Sequence, residues 1–530
     1  MSKKYSLLFL TLSILWYACH NKASKVVVQD TTINPKTSFN NLFLDSAAIE
    51  SFLSANTAYN NYRQQYFDFY KQRNYEYAWF DSAGIGEQAH NFINLLNNTI
   101  GELEDSSLYN KKLYDLYDMQ TGEDSSKYHG KIPEIELYLT GQFFAYAAKV
   151  YKGTDADISQ LGWFIPRKKV DLTALLDSVI QSKANGTDQY VPTNSQYKKL
   201  ESFLPKYYQL QKEGNWDSIP KPAKPLHKGE RSPVIPAIKE RLAKLGDLEY
   251  NDSTKIFDTA LFRAAKSFQR RMGLDVDGVI GGKMMDELNV TIEKRVQQIL
   301  VNLERLRWMP PDNDTNYIFV NIPEYRMYIF DSGALKFTIN VIVGSAVNNT
   351  VIFNGNLKYI VFAPYWNVPA SIVEKEVLPG IKNNPNYLAK NNMEITGHSE
   401  GLPVVRQKPG PTNSLGLVKF LFPNNYNIYF HDTPNHELFS SANRNLSHGC
   451  IRLGEPKKFA QYLLRDDTTY TSHKIDSLMN NTKETWLTLK KTIPVFIGYF
   501  TAWVDRQGNI NFRKDIYNHD EEMAAKLFVK

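Results

Sequence analysis

The 530-residue sequence predicts an α+β multidomain protein. It reads as an all-α N-terminal scaffold and a three-helix module, followed by a mainly β domain with an inserted lid. Three observations carry this. Apolar residues recur at three- and four-residue spacing through most of the first 310 positions, the period of amphipathic helices. A stretch rich in Pro, Gly and Lys, "GNWDSIPKPAKPLHKGERSP" at 214–233, divides the helical part. From Tyr317 the pattern changes to alternation around tight turns, the period of strands.

Composition bounds the function. The length suggests three or four domains on a prior of ~150 residues each. Hydrophobic residues make up 42%, an ordinary globular value, and the net charge is only +6. No Lys/Arg block points to nucleic acid. The 32 Tyr and 29 Phe suit aromatic cores and carbohydrate or peptide grooves alike.

The elements follow in order. Residues 1–19, "MSKKYSLLFLTLSILWYAC", begin with Lys3 and Lys4 and continue with 14 apolar-rich residues from Tyr5 to Ala18. That is shorter than the ~20 residues a bilayer span requires, and it reads as an export segment. It resembles a bacterial lipoprotein signal, which implies lipidation of Cys19 and a periplasm-facing protein held at the membrane. An ordinary cleaved signal or an uncleaved anchor remains open, and all three readings export the chain. Residues 20–45 are a polar tether. Residues 46–220 form the helical scaffold, with a helix over 134–153 stopping at Gly153 and an aromatic cluster in "FYKQRNYEYAWF" at 69–80. Residues 221–233 are the linker.

Residues 234–290 hold three short helices. Ile235, Ile238, Leu242 and Leu245 mark one apolar face, ended by Gly246. Ala260, Ala264, Ala265 and Phe268 mark a second, ended by Gly273, and Leu288 closes a third. The segment resembles the helical peptidoglycan-binding domain through Leu242, Gly246, Phe257, Asp258, Ala264, Phe268, Gln269, Gly273, Leu274, Asp277, Gly278, Ile280 and Gly281. Those residues serve equally as a three-helix core or as a ligand-binding module. Residues 291–312 form a connecting helix stopped by Pro310-Pro311. The β domain covers 316–530, with a hairpin turn at Asp331-Ser332-Gly333. Residues from about 369 to 411 interrupt its strands with short helices and turns, a candidate lid.

The chemistry gathers in "YFHDTPNHELFSSANRNLSHGCIRLGEP", 429–456. The chain has two cysteines, and this window holds one. In an oxidising envelope a lone thiol is a liability unless buried or used. Ser447, His448, Gly449 and Arg452 give Cys450 a polar, flexible setting, which favours use. A thiol attacks as thiolate and needs a base. His431 ends the strand "NIYFH" and can face the sulfur from a neighbouring strand. His448 is two residues away across a tight turn. His431 is therefore the expected base. Asp432 points to the opposite face, so a main-chain carbonyl is the expected partner of the other ring nitrogen. Gly449 permits an unusual turn. The amides around His448, Gly449 and Cys450 are candidates for stabilising an oxyanion, and Arg452 for anchoring a carboxylate. The spacing of His431, His436, His448 and Cys450 fits no compact zinc pattern.

The window closely resembles the active site of the L,D-transpeptidases: a His, a spacer, then Ser-His-Gly-Cys, an apolar residue and Arg. These are His431, Ser447, His448, Gly449, Cys450, Ile451 and Arg452. "LERLRWMP", "YWNVPASI", "RQKPGPTNSLGLVKFLFPN" and "YFTAWVDRQGNINFRKDIY" resemble the large periplasmic subgroup with a scaffold, a peptidoglycan-binding domain and a capping insertion. At 348–355, "NNTVIFNG" has Val351 where the family often has proline. The resemblance implies a YkuD-like sandwich or barrel and a peptidoglycan L,D-transpeptidase. Cys450 would attack the third-residue carbonyl of a tetrapeptide donor, release D-Ala and form a thioester. The amine of an acceptor diamino acid would resolve it as a 3→3 cross-link. Trp366, Asn413 and Tyr429 are candidate substrate or lid contacts. Carbapenems are implied as covalent inhibitors, and no metal or organic cofactor is implied. Hydrolysis (an L,D-carboxypeptidase), attachment of a protein to the wall, and a non-catalytic wall-binding lipoprotein are the alternatives.

Overall fold

The computed structural model describes residues 42–528 apart from 82, 104–105, 122–129, 154–156, 167–169, 184–193, 251 and 310–314. Cys19, most of the tether and the Pro310-Pro311 stop lie outside the described residues. The chain divides into two compact units, Met1–Tyr151 with Val170–Val191, and Lys152–Lys169 with Pro192–Lys530.

The first unit is helical. It contains α1 (Ser46–Ala55), α2 (Arg63–Gln72), α3 (Glu87–Leu103), α4 (Lys111–Thr121), α5 (Ile132–Ala147) and α6 (Leu172–Gln181), with one short hairpin, β1 (Phe80–Asp81) and β2 (Gly84–Ile85). Helix α5 is apolar around almost its whole circumference, so it runs through the middle of the unit. Gly141 lets α5 approach Tyr59 and Tyr66, because a Cβ there would overlap the Tyr66 hydroxyl. One charge enters this core. The Glu136 carboxylate accepts the amides of Ala78 (2.7 Å) and Trp79 (3.0 Å) and the Tyr70 hydroxyl (2.8 Å).

The 46–220 segment expected as the scaffold has residues in both units. Helices α7 (Ser195–Glu201) and α8 (Leu204–Glu213) pack in the second unit. The reason is their apolar faces. Buried Tyr197 accepts a hydrogen bond from Arg307 at 2.8 Å, and the Tyr207 ring lies 5.8 Å from Phe512.

Helices α9 (Ile235–Leu245), α10 (Thr259–Met272) and α11 (Gly282–Leu288) make the three-helix module. Leu242, Phe257, Ala264, Ala265, Phe268, Ile280 and Leu288 are buried in it. Leu261 takes the inward place expected of Ala260, which is exposed. Gly246 and Gly273 end their helices at φ +89° and +70°, the left-handed cap that glycine adopts without strain. The polar residues of the motif are structural too. Asp258 caps α10 on the Leu261 amide (2.7 Å), and Gln269 bonds the Asp277 carboxylate (2.7 Å) and the Gly278 amide (2.8 Å). Helix α12 (Ile292–Trp308) follows.

The next twelve strands include the eight of one closed barrel. They are β3 (Tyr317–Asn321), β4 (Arg326–Asp331), β5 (Ala334–Gly344), β6 (Phe353–Phe362), β7 (Trp366–Asn367), β8 (Met393–Ser399), β9 (Leu402–Gln407), β10 (Val418–Leu421), β11 (Phe430–His431), β12 (Asn445–Ser447), β13 (Ile451–Leu453) and β14 (Thr485–Gly498). The ladder runs β5-β13-β11-β10-β6-β14-β3-β4, and β4 pairs back onto β5, so no edge remains in that ring. β12 extends β5. The β4–β5 turn uses Ser332 and Gly333, both at positive φ as a tight two-residue hairpin demands.

The insertion is a small subdomain. β7, β9 and β8 form a separate three-stranded sheet, joined by α13 (Ala370–Ile372), a π-helical turn at Val373–Val377, α14 (Leu378–Asn383) and α15 (Tyr387–Lys390). Val368, Val373, Val377 and Val405 are its core. The expectation of helices and turns alone missed the β8–β9 hairpin, whose residues are half-exposed and alternate weakly. After the barrel come α16 (Pro456–Leu463), α17 (Ser472–Met479), the hairpin β15 (Ala502–Val504) and β16 (Ile510–Phe512), and α18 (His519–Leu527). The hairpin region clasps the three-helix module: Arg271 donates to the Ile510 carbonyl (2.8 Å) and Arg513 to the Arg271 carbonyl (2.7 Å). No helix among the described residues is long and apolar enough to cross a membrane.

Candidate active site

β11 and β13 are parallel neighbours, with Phe430 opposite Ile451 and His431 opposite Arg452. The Ile451 amide donates to the Tyr429 carbonyl at 3.2 Å, so the pairing continues back to the nucleophile turn. Alternation sends Phe430 and Ile451 into the core, where both are fully buried. It leaves Tyr429, His431, Cys450 and Arg452 on the opposite face. The sequence window thus becomes one constellation because two short strands run side by side.

The turn before Cys450 is fixed from within. The Ser447 hydroxyl donates to the Cys450 carbonyl (2.6 Å) and accepts the Gly449 amide (3.1 Å). Gly449 sits at φ +114°, a conformation that a side chain resists. The Gly449 amide, one of the candidates for stabilising an oxyanion, is therefore occupied. Among the described residues, the amides of His448 and Cys450 have no acceptor.

The Cys450 thiol donates to the main-chain carbonyl of Asn427 at 3.5 Å. Burial raises its pKa. Hydrogen bonds from the Tyr429 amide and hydroxyl, and the Arg452 charge, pull the other way without cancelling that rise. Burial, then the neighbouring Cys450, pushes the Tyr429 phenol up.

His431 is 4% exposed. Its Nδ1 lies 2.5 Å from the carbonyl of Asp432. That contact assigns the ring proton to Nδ1 and leaves Nε2 as the basic nitrogen. Burial, then the Arg452 guanidinium, lowers its pKa to about 3. The imidazole is neutral at physiological pH, able to accept a proton and unable to hold a thiolate as an ion pair. His431 and Cys450 are not hydrogen-bonded to each other. The Asp432 carboxylate faces elsewhere and accepts the Leu417 amide (2.8 Å).

The remaining candidates fall in different places. Arg452 is half-buried, its Nε is without a partner among the described residues, and burial lowers its pKa. His448 turns outward, and its Nε2 lies 3.2 Å from Glu376 in the lid. Trp366 opens the lid sheet opposite Gln407 and packs on the lid core. Asn413 is fully buried; it donates to the carbonyls of Pro364 (3.0 Å) and Lys408 (2.9 Å) and accepts the Leu415 amide (2.8 Å). Both support the lid. No three His, Cys, Asp or Glu side chains gather as metal ligands among the described residues.

Sequence reasoning missed Asn427, Thr350 and Tyr517. Thr350 donates to the Gly449 carbonyl at 2.7 Å and is bonded in turn to Tyr517. The signals lie in "NNTVIFNG", which departs from the family pattern at Val351, and in "NFRKDIY", which resembles it; neither stretch points to a role for these residues by itself.

A cysteine, a neutral histidine and a hydrogen-bonded turn thus share the outer wall of a closed barrel. Residues 315–485 match the family model described as the L,D-transpeptidase catalytic domain, YkuD. Residues 64–204 match a scaffold domain and residues 231–288 a "Putative peptidoglycan binding domain". Models for a scaffold domain, a peptidoglycan-binding domain and the YkuD L,D-transpeptidase catalytic domain thus match successive segments of the chain. A "Putative L,D-transpeptidase" of Haemophilus influenzae is 33% identical over 253 residues, covering 45% of this chain and 50% of that protein. The chain spans about half the length of this curated relative. Among solved structures, an L,D-transpeptidase of Xylanimonas cellulosilytica is 15% identical with a TM-score of 0.18, over 53% of this chain and 100% of that one. One from Stackebrandtia nassauensis is 16% identical with a TM-score of 0.21, over 52% and 98%.

Proposed function

We propose that the protein is a peptidoglycan L,D-transpeptidase that forms 3→3 cross-links through a thioester on Cys450. The observation that carries this reading is the single face holding Tyr429, His431, Cys450 and Arg452 beside a turn locked by Ser447. In the forward step the Cys450 sulfur bonds to the third-residue carbonyl carbon of a tetrapeptide stem, and its proton passes to His431 Nε2. The carbonyl oxygen becomes an oxyanion facing the free amides of the turn. Collapse breaks the peptide bond; the D-Ala nitrogen leaves with the proton from His431, and a thioester remains. The amine of a second stem's diamino acid then attacks, gives its proton to His431, and displaces the sulfur, which recovers that proton. Arg452 holds a stem carboxylate. Carbapenems acylate Cys450 by the same attack. Cys19 carries a lipid that holds the enzyme at the envelope membrane, where its substrate lies.

The test incubates the purified chain with disaccharide-tetrapeptide beside Cys450→Ala and follows products by mass spectrometry. A dimer joined between third residues, with D-Ala released and both lost in the variant, supports the proposal. Tripeptide with D-Ala and no dimer would replace it with hydrolysis. Absence of turnover in both proteins would overturn it.

A further inference from the structure

The nucleophile turn is held by a closed ring of hydrogen bonds that reaches beyond the family-matched segment. The Thr350 hydroxyl donates to the Gly449 carbonyl (2.7 Å) and accepts the Gly344 amide (2.9 Å). The Tyr517 hydroxyl donates to the Gly344 carbonyl (2.6 Å) and accepts the Thr350 amide (3.3 Å). All of these groups are buried, Thr350 at 1% and Tyr517 at 7% exposure. Gly344 has room for no side chain, because a Cβ would overlap the Asn348 carbonyl oxygen. Tyr517 is fixed in turn: its amide donates to the Tyr499 hydroxyl (2.9 Å), which donates to Asp515 (2.5 Å).

The consequence lies in one peptide plane. The Gly449 carbonyl and the Cys450 amide belong to the same trans peptide and point in opposite directions. Thr350 draws the carbonyl inward, so the Cys450 amide is aimed outward, where it has no acceptor among the described residues. Ser447 holds the flanking groups, the Gly449 amide and the Cys450 carbonyl. That plane is therefore pinned at both ends.

We infer that Thr350 and Tyr517 are positioning residues that orient the Cys450 amide as the oxyanion donor, so that the C-terminal segment beyond residue 485 completes the active site. This inference rests on the acyl-transfer reading above and deepens it. Oxyanion donors act only where a carbonyl is attacked, which gives a selective readout. Alkylation by iodoacetamide displaces iodide at a saturated carbon and forms no oxyanion, whereas acylation by a carbapenem forms one.

The experiment measures both reactions on the full chain and on Thr350→Val, Thr350→Ser and Tyr517→Phe, with imipenem as the acylating probe and folding checked by circular dichroism. Thr350→Val and Tyr517→Phe are expected to slow acylation by roughly tenfold or more, since deleting a donor outright costs ~10²–10³. Alkylation should stay within about twofold, and Thr350→Ser should restore acylation. With tetrapeptide donor, kcat should fall while KM stays within about twofold. Unchanged acylation in folded Tyr517→Phe and Thr350→Val, beside an acylated parent, would overturn the inference alone. A parallel fall in alkylation would also overturn it, since the thiol and not the oxyanion would then have moved. A parent that imipenem leaves unmodified and that turns over no donor would overturn the transpeptidase reading and this inference with it.

Discussion

The Cys450 sulfur points at the carbonyl of Asn427, 3.5 Å away, and not at the imidazole of His431. Asn427 holds that carbonyl in place from a left-handed backbone, φ +55°, inside a loop tied by the Asn424 side chain. A thiol that donates to a carbonyl is a thiol kept protonated. With His431 neutral as well, the resting site holds neutral sulfur and neutral imidazole, and substrate must shift the proton.

The first prediction follows from that charge state. Burial raises the Cys450 pKa, so the thiolate fraction grows only above the ordinary cysteine value of ~8.5. Iodoacetamide alkylation should therefore rise with pH to a midpoint above that value. A midpoint near or below pH 7 would mean that a thiolate–imidazolium pair already exists, and the neutral-pair account would fail.

A second prediction concerns the acid side. His431 is held down to about pKa 3 by burial and Arg452. A lowered histidine pKa means that the base is unprotonated across pH 5–8. The kcat/KM profile should then show no acid limb from His431 in that range. His431→Gln should nevertheless lower turnover by ~10²–10⁴, the usual span for a lost general base. Turnover within about threefold of the parent would remove His431 from the base role.

A third prediction concerns the lid. Asn413 ties the lid's returning strand to the barrel through the carbonyls of Pro364 and Lys408. Asn413→Ala leaves buried groups unpaired, which costs ~1–3 kcal/mol each. The expected result is a lower Tm and faster limited proteolysis within 369–411, with Cys450 still alkylated. Glu376→Gln should differ. The His448–Glu376 contact is half-exposed on both sides, and such pairs contribute ~0–1 kcal/mol. Its Tm should match the parent. Equal protease sensitivity in the two variants would show that Asn413 does not anchor the lid.

What the sequence disclosed and what it hid have physical reasons. The nucleophile, the strand histidine and the glycine turn lie within 20 residues of chain, so local pattern revealed them. The choice of a main-chain partner for His431 followed from strand alternation, and the ring does lie on the Asp432 carbonyl. The Thr350–Tyr517 ring joins positions 167 residues apart. No local period encodes such contacts; only the closed barrel brings them together. Trp366 and Asn413 drew attention as motif members, yet motif membership does not separate a residue that touches substrate from one that holds a lid. Helices α7 and α8 carry the same amphipathic period as their neighbours, and period alone does not say which core a face joins.

The last prediction concerns Glu136, the one carboxylate in the interior of the scaffold unit's α5. Burial raises its pKa to about 7, against the hydrogen bonds from Ala78, Trp79 and Tyr70 that favour the anion. An unfolded glutamate titrates near ~4.3. A folded pKa above the unfolded one means that the native state binds the proton more tightly. The stabilisation is complete below ~4.3, declines as pH rises through about 7, and is flat above it. The decline is on the order of 4 kcal/mol, at ~1.4 kcal/mol per pKa unit. Glu136→Gln removes the titration. Its amide oxygen can serve one of the two backbone donors well, so the variant is not expected to be more stable outright. The informative quantity is the change in urea-unfolding free energy between pH 5 and pH 8, parent minus variant, since other titrating groups cancel in that difference. The parent should lose ~2–3 kcal/mol more than Glu136→Gln over that interval. Equal losses in both proteins would show that the carboxylate stays ionised in the fold, with the Ala78 and Trp79 amides outweighing the cost of burial.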